Sequence, residues 1–183
     1  MDTKSTGHPE VDRWLREAIA LIDQRQYTQA LEWLDRIIER SAAARAAANV
    51  WGTKSWVLHE LGRTQQALEA AERALALNPA SEFALVQRAA AWRRMGRDTE
   101  ALRDSERAAA INPDFMAAWF SQGTVLRRMG QREAALAAYE RAIARDPRSV
   151  EAWRRKGEIL NDLGRHPEAL PALDEALRLV PEQ

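Results

Sequence analysis

Arg93-Arg94-Met95-Gly96 recurs as Arg127-Arg128-Met129-Gly130, 34 residues later. Paired guanidinium groups suit one kind of chemistry. Their planar forks grip carboxylates or phosphates through two hydrogen bonds at a time. A chain-wide bias weighs against reading too much into them: arginine outnumbers lysine 24 to 3. Other chemistry is scarce. The chain has no cysteine, which excludes disulfides, thiol nucleophiles and zinc–cysteine sites. His8, His59 and His166 form no pair with metal-ligand spacing, and no glycine-rich phosphate loop occurs. The carboxylates lie on what read as solvated helix faces. The sequence therefore predicts no enzyme, no metal site and no cofactor.

Composition narrows the partners. Lys+Arg and Asp+Glu are 27 each in 183 residues, so the net charge is zero. A nucleic-acid or membrane-surface binder usually shows a basic excess, so nucleic acid and membrane both score low as partners. No apolar run approaches the roughly 18 residues of a membrane span. The opening MDTKSTGHPE has no basic region followed by an apolar run, so no signal peptide is visible. With no cysteine, this fits a cytoplasmic protein.

The elements that must position the arginines come from periodicity, which takes precedence over any single motif. Asn78-Pro79, Asn112-Pro113, Asp146-Pro147 and Val180-Pro181 are spaced by 34 residues. Gly62, Gly96, Gly130 and Gly164 share that spacing, as do Ala67, Ala101, Ala135 and Ala169. Each unit reads as two helices. The first ends at the glycine, which can take the left-handed conformation that closes a helix. The second stops before Asn-Pro or Asp-Pro, because the residue preceding proline is pushed out of helical geometry. The fold class is all-α.

With the proline of each unit set at position 32, the repeats are 48–81, 82–115, 116–149 and 150–183. A longer first repeat fits 11–47, after a disordered segment 1–10. Position 4 is then Trp14, Trp51, Leu85, Trp119 and Trp153, and position 8 is Ala18, Ser55, Ala89, Gly123 and Gly157. Position 20 is alanine throughout, while position 24 is variable: Leu34, Ala71, Ser105, Tyr139 and Leu173. This pattern resembles the tetratricopeptide repeats. The resemblance implies a right-handed superhelical solenoid of stacked antiparallel helix pairs, here five repeats in a single array. Small residues at 8, 20 and 27 allow close helix approach, and large ones at 4, 11 and 24 fill the remaining gaps. The tryptophans at position 4 are expected in the core.

Two places depart from the pattern. The first repeat has Arg25 where glycine is expected and the alanine-rich SAAARAAANV in place of the proline turn. A longer second helix or a reshaped turn is expected there, with Trp33 packed on the extension. In the last repeat Pro167 suits a first helical turn, but Pro171 lies further in and predicts a bend or a late helix start.

On a helical wheel at about 100° per residue, positions 4, 8 and 11 form the buried stripe of each first helix. Positions 2, 5, 9, 12 and 13 form a separate arc. In the resembling family that arc lines a concave peptide-binding groove. The arginine doublets occupy positions 12 and 13 of the third and fourth repeats. The candidate groove residues are Asn49, Trp56, His59, Phe83, Gln87, Arg93, Arg94, Phe120, Thr124, Arg127, Arg128 and Arg154. First helices of repeats three to five carry more basic than acidic residues, and second helices the reverse. The expected ligand is a peptide segment of a partner protein with acidic and apolar residues, which makes the chain an adaptor or scaffold. The carboxylate clamp of chaperone-tail receptors is matched only at Arg155, so that ligand is not expected. The alternative is a structural scaffold that forms a homo-oligomer through Leu170, Leu173 and Leu177, which no following helix would cover.

Overall fold

A computed structural model describes residues 8–180. Among them are eleven helices and no strand. They are α1 (Pro9–Asp23), α2 (Tyr27–Arg40), α3 (Ala42–Arg45), α4 (Ala48–Glu60), α5 (Thr64–Leu77), α6 (Glu82–Arg94), α7 (Asp98–Ile111), α8 (Met116–Arg128), α9 (Arg132–Arg145), α10 (Val150–Asp162) and α11 (His166–Arg178). They group into two compact units, residues 1–96 with α1–α6 and residues 97–183 with α7–α11. The boundary follows the Gly96 turn, inside the third repeat.

The first helices of repeats two to five start at Ala48, Glu82, Met116 and Val150, where the 34-residue phase puts them. Helix α1 opens at Pro9, whose fixed φ suits the first turn of a helix, so the array starts two residues before the expected Val11. Residues 1–7 of the expected disordered segment, and 181–183 at the other end, lie outside the described residues.

Local chemistry closes each turn. Gly62, Gly96, Gly130 and Gly164 all adopt φ between +72° and +76°. Arg25 takes the same left-handed conformation, φ 58°, as the only described non-glycine residue to do so. The Asn-Pro and Asp-Pro turns explain their own composition. Asn78 Oδ1 accepts from the Ala80 amide at 3.1 Å, and Asn112 and Asp146 repeat the contact with Asp114 and Arg148. Ser81 and Ser149 then cap α6 and α10 through their hydroxyls.

The first repeat takes the reshaped turn rather than the longer helix. At Ser41 the chain goes extended (φ −120°, ψ 117°), ending α2, and the Ser41 hydroxyl caps the single-turn α3. The serine's preference for a cap position overrides the helix propensity of the alanines around it. Trp33 contacts α1. Its indole donates to the Trp14 carbonyl at 3.1 Å, which turns it back onto α1. In the last repeat α11 is continuous through Pro171 and begins at His166, so no late start occurs.

Each unit has its own core. In the first, α1, α2, α4 and α5 enclose Leu15, Ile22, Leu34, Val50, Val57 and Leu58. In the second, α8–α11 enclose Leu126, Leu136, Tyr139, Ile159 and Leu160. The tryptophans of position 4 sit at the edge of these cores, half-buried, and three of them carry a hydrogen bond at the tip. Trp51 donates to the Arg45 carbonyl at 3.0 Å, Trp119 to Pro113 at 2.7 Å and Trp153 to Pro147 at 2.9 Å. Each indole clasps the turn six residues before it, which satisfies its N–H while its ring packs. Leu85, with no such donor, is fully buried.

Candidate peptide-binding face

In the first unit the candidate residues lie on α4 and α6, which pack against each other. Trp56 is half-buried and meets the edge of Tyr27 at 6.2 Å and 85°. Phe83 is not a free anchor. Its ring lies over Gly52, where an added Cβ would come within 2.9 Å. Gln87 is buried, so it is part of the packing rather than of an open face. Asn49 is half-buried at the start of α4, and its carbonyl accepts from the Thr53 hydroxyl at 2.9 Å.

His59, Arg93 and Arg94 do come together. Arg94 donates to the His59 carbonyl at 2.5 Å, so the guanidinium neutralises the carboxyl end of α4. The His59 ring is partly buried, and its Nδ1 has no hydrogen-bond partner among the described residues. Burial, then the positive charges of Arg94 and Arg93, hold its pKa down at about 4. The ring is therefore neutral at pH 7, with an unmet nitrogen beside two cations.

In the second unit Phe120 packs on Tyr139 at 5.7 Å, and the Tyr139 hydroxyl donates to the Thr124 hydroxyl at 3.4 Å. Thr124 in turn donates to the Phe120 carbonyl at 2.9 Å. Burial pushes the Tyr139 pKa up, opposed by that hydrogen bond and by the charge of Arg127. Arg127 is half-buried, and its Nε has no partner among the described residues. Arg128 pairs with Asp98 at 3.0 Å. Arg154 is neutralised by its own helix: Glu151 at 2.5 Å, with Glu158 as a further partner. Arg155 shares both carboxylates at 3.0 and 2.9 Å.

Sequence reasoning misses three partners. Glu158 is legible, because it lies four residues after Arg154 on one helix face. Tyr27 and Asp98 come from other helices, and no local spacing announces them. Among the described residues no three of His, Asp and Glu are placed to hold a metal ion. None of the described helices is long and apolar enough to cross a membrane.

Tetratricopeptide-repeat profiles match residues 48–81 and 120–183. The chain belongs to the tetratricopeptide repeat family. No curated protein matches the sequence. Among solved structures, the tetratricopeptide repeat protein TTC0263 of Thermus thermophilus aligns with a TM-score of 0.83 at 22% identity, over 94% of this chain and 93% of that one. MamA from Desulfovibrio magneticus RS-1 aligns with a TM-score of 0.70 at 17% identity, over 94% and 96%. A further MamA structure gives 0.68 at 19%, over 88% and 93%. Likeness at this level carries the tetratricopeptide repeat fold. The second helices Thr64–Leu77 and Arg132–Arg145 fall within the two matched stretches, in the phase that the prolines set.

Leu170 and Leu177, on the outer side of α11, are 63% and 72% exposed. Leu173 is not with them. It points inward onto Gly157, where an added Cβ would come within 2.5 Å of its side chain.

Proposed function

We propose that this tetratricopeptide repeat chain is a protein-interaction module that binds an acidic and apolar peptide segment along the first helices of its repeats. One observation carries the reading. Position 12 of the second and fourth repeats, His59 and Arg127, presents a partly buried side chain whose ring or guanidinium nitrogen lacks a hydrogen-bond partner among the described residues. Buried polar atoms are rarely left so, and the position lies on the arc that a peptide would occupy. Arg93 and Arg94 add positive charge beside His59, which suits a carboxylate. The test is capture of binding proteins from lysate on immobilised chain, against a variant with Arg93, Arg94, Arg127 and Arg128 all changed to Glu and its helicity checked. Partners retained by the wild type and lost by the variant support the reading. Identical partners on both remove it.

Self-association is a second reading, favoured by α11. Positions 21 and 28 of the second repeat, Leu68 and Leu75, are 5% and 8% exposed, because α6 covers α5. The same positions in the last repeat are Leu170 and Leu177, which are open. A mass that rises with concentration in sedimentation, and stays monomeric in Leu177→Glu, supports this reading. A concentration-independent monomer removes it.

A further inference from the structure

The first unit has a second concavity, on the side of α4 away from the arc just described. On the wheel, Trp51, Lys54 and Leu58 form a separate face, centred about 140° from that of Trp56 and His59. They floor a cleft of about 330 Å³ between α2 and α5. Leu31, Leu58 and Ala70 make its base apolar, and Trp51 forms one wall. Lys54 lies over the Trp51 ring at 5.3 Å and pairs with Asp35 at 2.6 Å. The remaining rim is Arg63, Gln66, Glu69 and Arg73, from the start to the middle of α5. Glu69 accepts from the Gln65 side-chain amide at 3.2 Å, and with Lys54 and Asp35 paired the two arginines leave the rim positive by one charge.

The second unit builds the same scaffold again and supplies an internal control. Lys156 lies over Trp153 at 5.6 Å and pairs with Glu140 at 3.0 Å, repeating Lys54, Trp51 and Asp35 at the corresponding places in the repeat. The rims differ. There the position of Arg63 is Arg165, which Glu168 neutralises at 2.6 Å. The position of Glu168 is Gln66 in the first unit, which brings no charge. The position of Arg73 is Glu175, itself paired with Arg178. So the second unit closes its rim charges internally. The first leaves Arg63 and Arg73 without an ion pair or side-chain hydrogen bond among the described residues.

We propose that this cleft is a binding site for an acidic peptide segment, with separate Asp or Glu carboxylates held by Arg63 and by Arg73, about 15 Å apart along α5, and a large apolar side chain between them set against Trp51 and Leu58. Charge complementarity selects the occupant. Two unpaired forks flank an apolar floor, and acidic residues on either side of an apolar side chain match that order. The site is independent of the position-12 face and of its ligand.

The probe is a fluorescein-labelled peptide of sequence GSDLDFDSG, titrated into the full chain and followed by anisotropy. Amide shifts of the ¹⁵N-labelled chain locate it. The expected result is shifts clustered at Leu31, Lys54, Leu58 and Ala70. Binding should weaken roughly tenfold or more in the double variant Arg63→Glu, Arg73→Glu. Gln66→Glu, which recreates the Arg165–Glu168 pair, should weaken it several-fold without touching the cleft floor. In Arg93→Glu with Arg94→Glu the shifts at Leu31, Lys54 and Ala70 should persist, whatever happens at His59. All these residues are exposed or half-buried, and circular dichroism confirms that each variant is folded. The proposal is overturned by equal binding of a Lys-for-Asp peptide, by unchanged binding in the Arg63/Arg73 variant, by shifts confined to His59 and Arg93, or by no binding at about millimolar chain.

Discussion

The Arg94 guanidinium closes the carboxyl end of α4 by a 2.5 Å hydrogen bond to the His59 carbonyl, while its charge helps keep the His59 ring neutral. One residue thus stabilises the helix and destabilises the protonated form of its neighbour. Because the folded pKa of about 4 lies below the usual 6.5, protonation favours the unfolded chain. The stability attached to a neutral His59 is complete above pH 6.5 and falls as pH drops toward 4. Allowing for the ring's partial exposure, the loss from pH 7 to pH 5 should be about 1 kcal/mol. Urea midpoints at the two pH values measure it. His59→Phe should flatten this part of the profile, and an unchanged slope in that variant would show that other groups cause it.

Gly123 and Gly157 face the large residue at position 24 of their own repeat. A Cβ at Gly123 would meet the Tyr139 ring at 2.8 Å, and one at Gly157 would meet Leu173 at 2.5 Å. Gly157→Ala should therefore cost about 1–3 kcal/mol by overpacking, despite the better helix propensity of alanine. Leu173→Val in the same chain should recover part of that loss. Thermal melts of the two singles and the double decide it: simple additivity would mean that the side chains do not share the space.

This pairing shows what the sequence can and cannot say. The 34-residue phase locates the first-helix starts of four repeats, because proline, glycine and asparagine each impose a local backbone geometry. Position 24 looks loose when read down its own column. In the fourth and fifth repeats it answers position 8: Tyr139 and Leu173 are large where Gly123 and Gly157 leave room. The candidate face is less legible. The wheel separates buried stripe from outer arc within one helix, but Phe83 and Gln87 are taken into packing by neighbouring helices. Arg154 loses its free charge to Glu151 and Glu158. Helical spacing groups Leu173 with Leu170 and Leu177, yet its offset on the helix turns it inward.

Arg25 holds a backbone conformation that the other repeats give to glycine. A left-handed φ costs an ordinary residue about 1 kcal/mol, and glycine avoids that cost while losing more freedom on folding. Arg25→Gly should raise stability by a few tenths to about 1 kcal/mol. The opposite change, Gly62→Ala, should lower it although no atom lies within 4 Å of the added Cβ, because the backbone at φ +75° is the obstacle. Matched denaturation curves test the pair, and a destabilised Arg25→Gly would show that the arginine side chain contributes more than its backbone costs.

The indole clasp at position 4 separates ring packing from hydrogen bonding. Trp119 donates to the Pro113 carbonyl at 2.7 Å, and Arg141 lies over its ring at 4.7 Å. Trp119→Phe keeps an aromatic face for Arg141 but removes the donor. It should cost about 1 kcal/mol for the lost bond, plus a part of the buried indole area. Arg145 also donates to the Pro113 carbonyl, at 3.1 Å, so that oxygen is not orphaned when the indole goes. The double variant Trp119→Phe, Arg145→Met removes both donors. If the two bonds back each other up, it should cost more than the sum of the singles. A strictly additive cycle would show that each donor acts alone, and that the turn before α8 is held chiefly by its Asn112 cap and its backbone bonds.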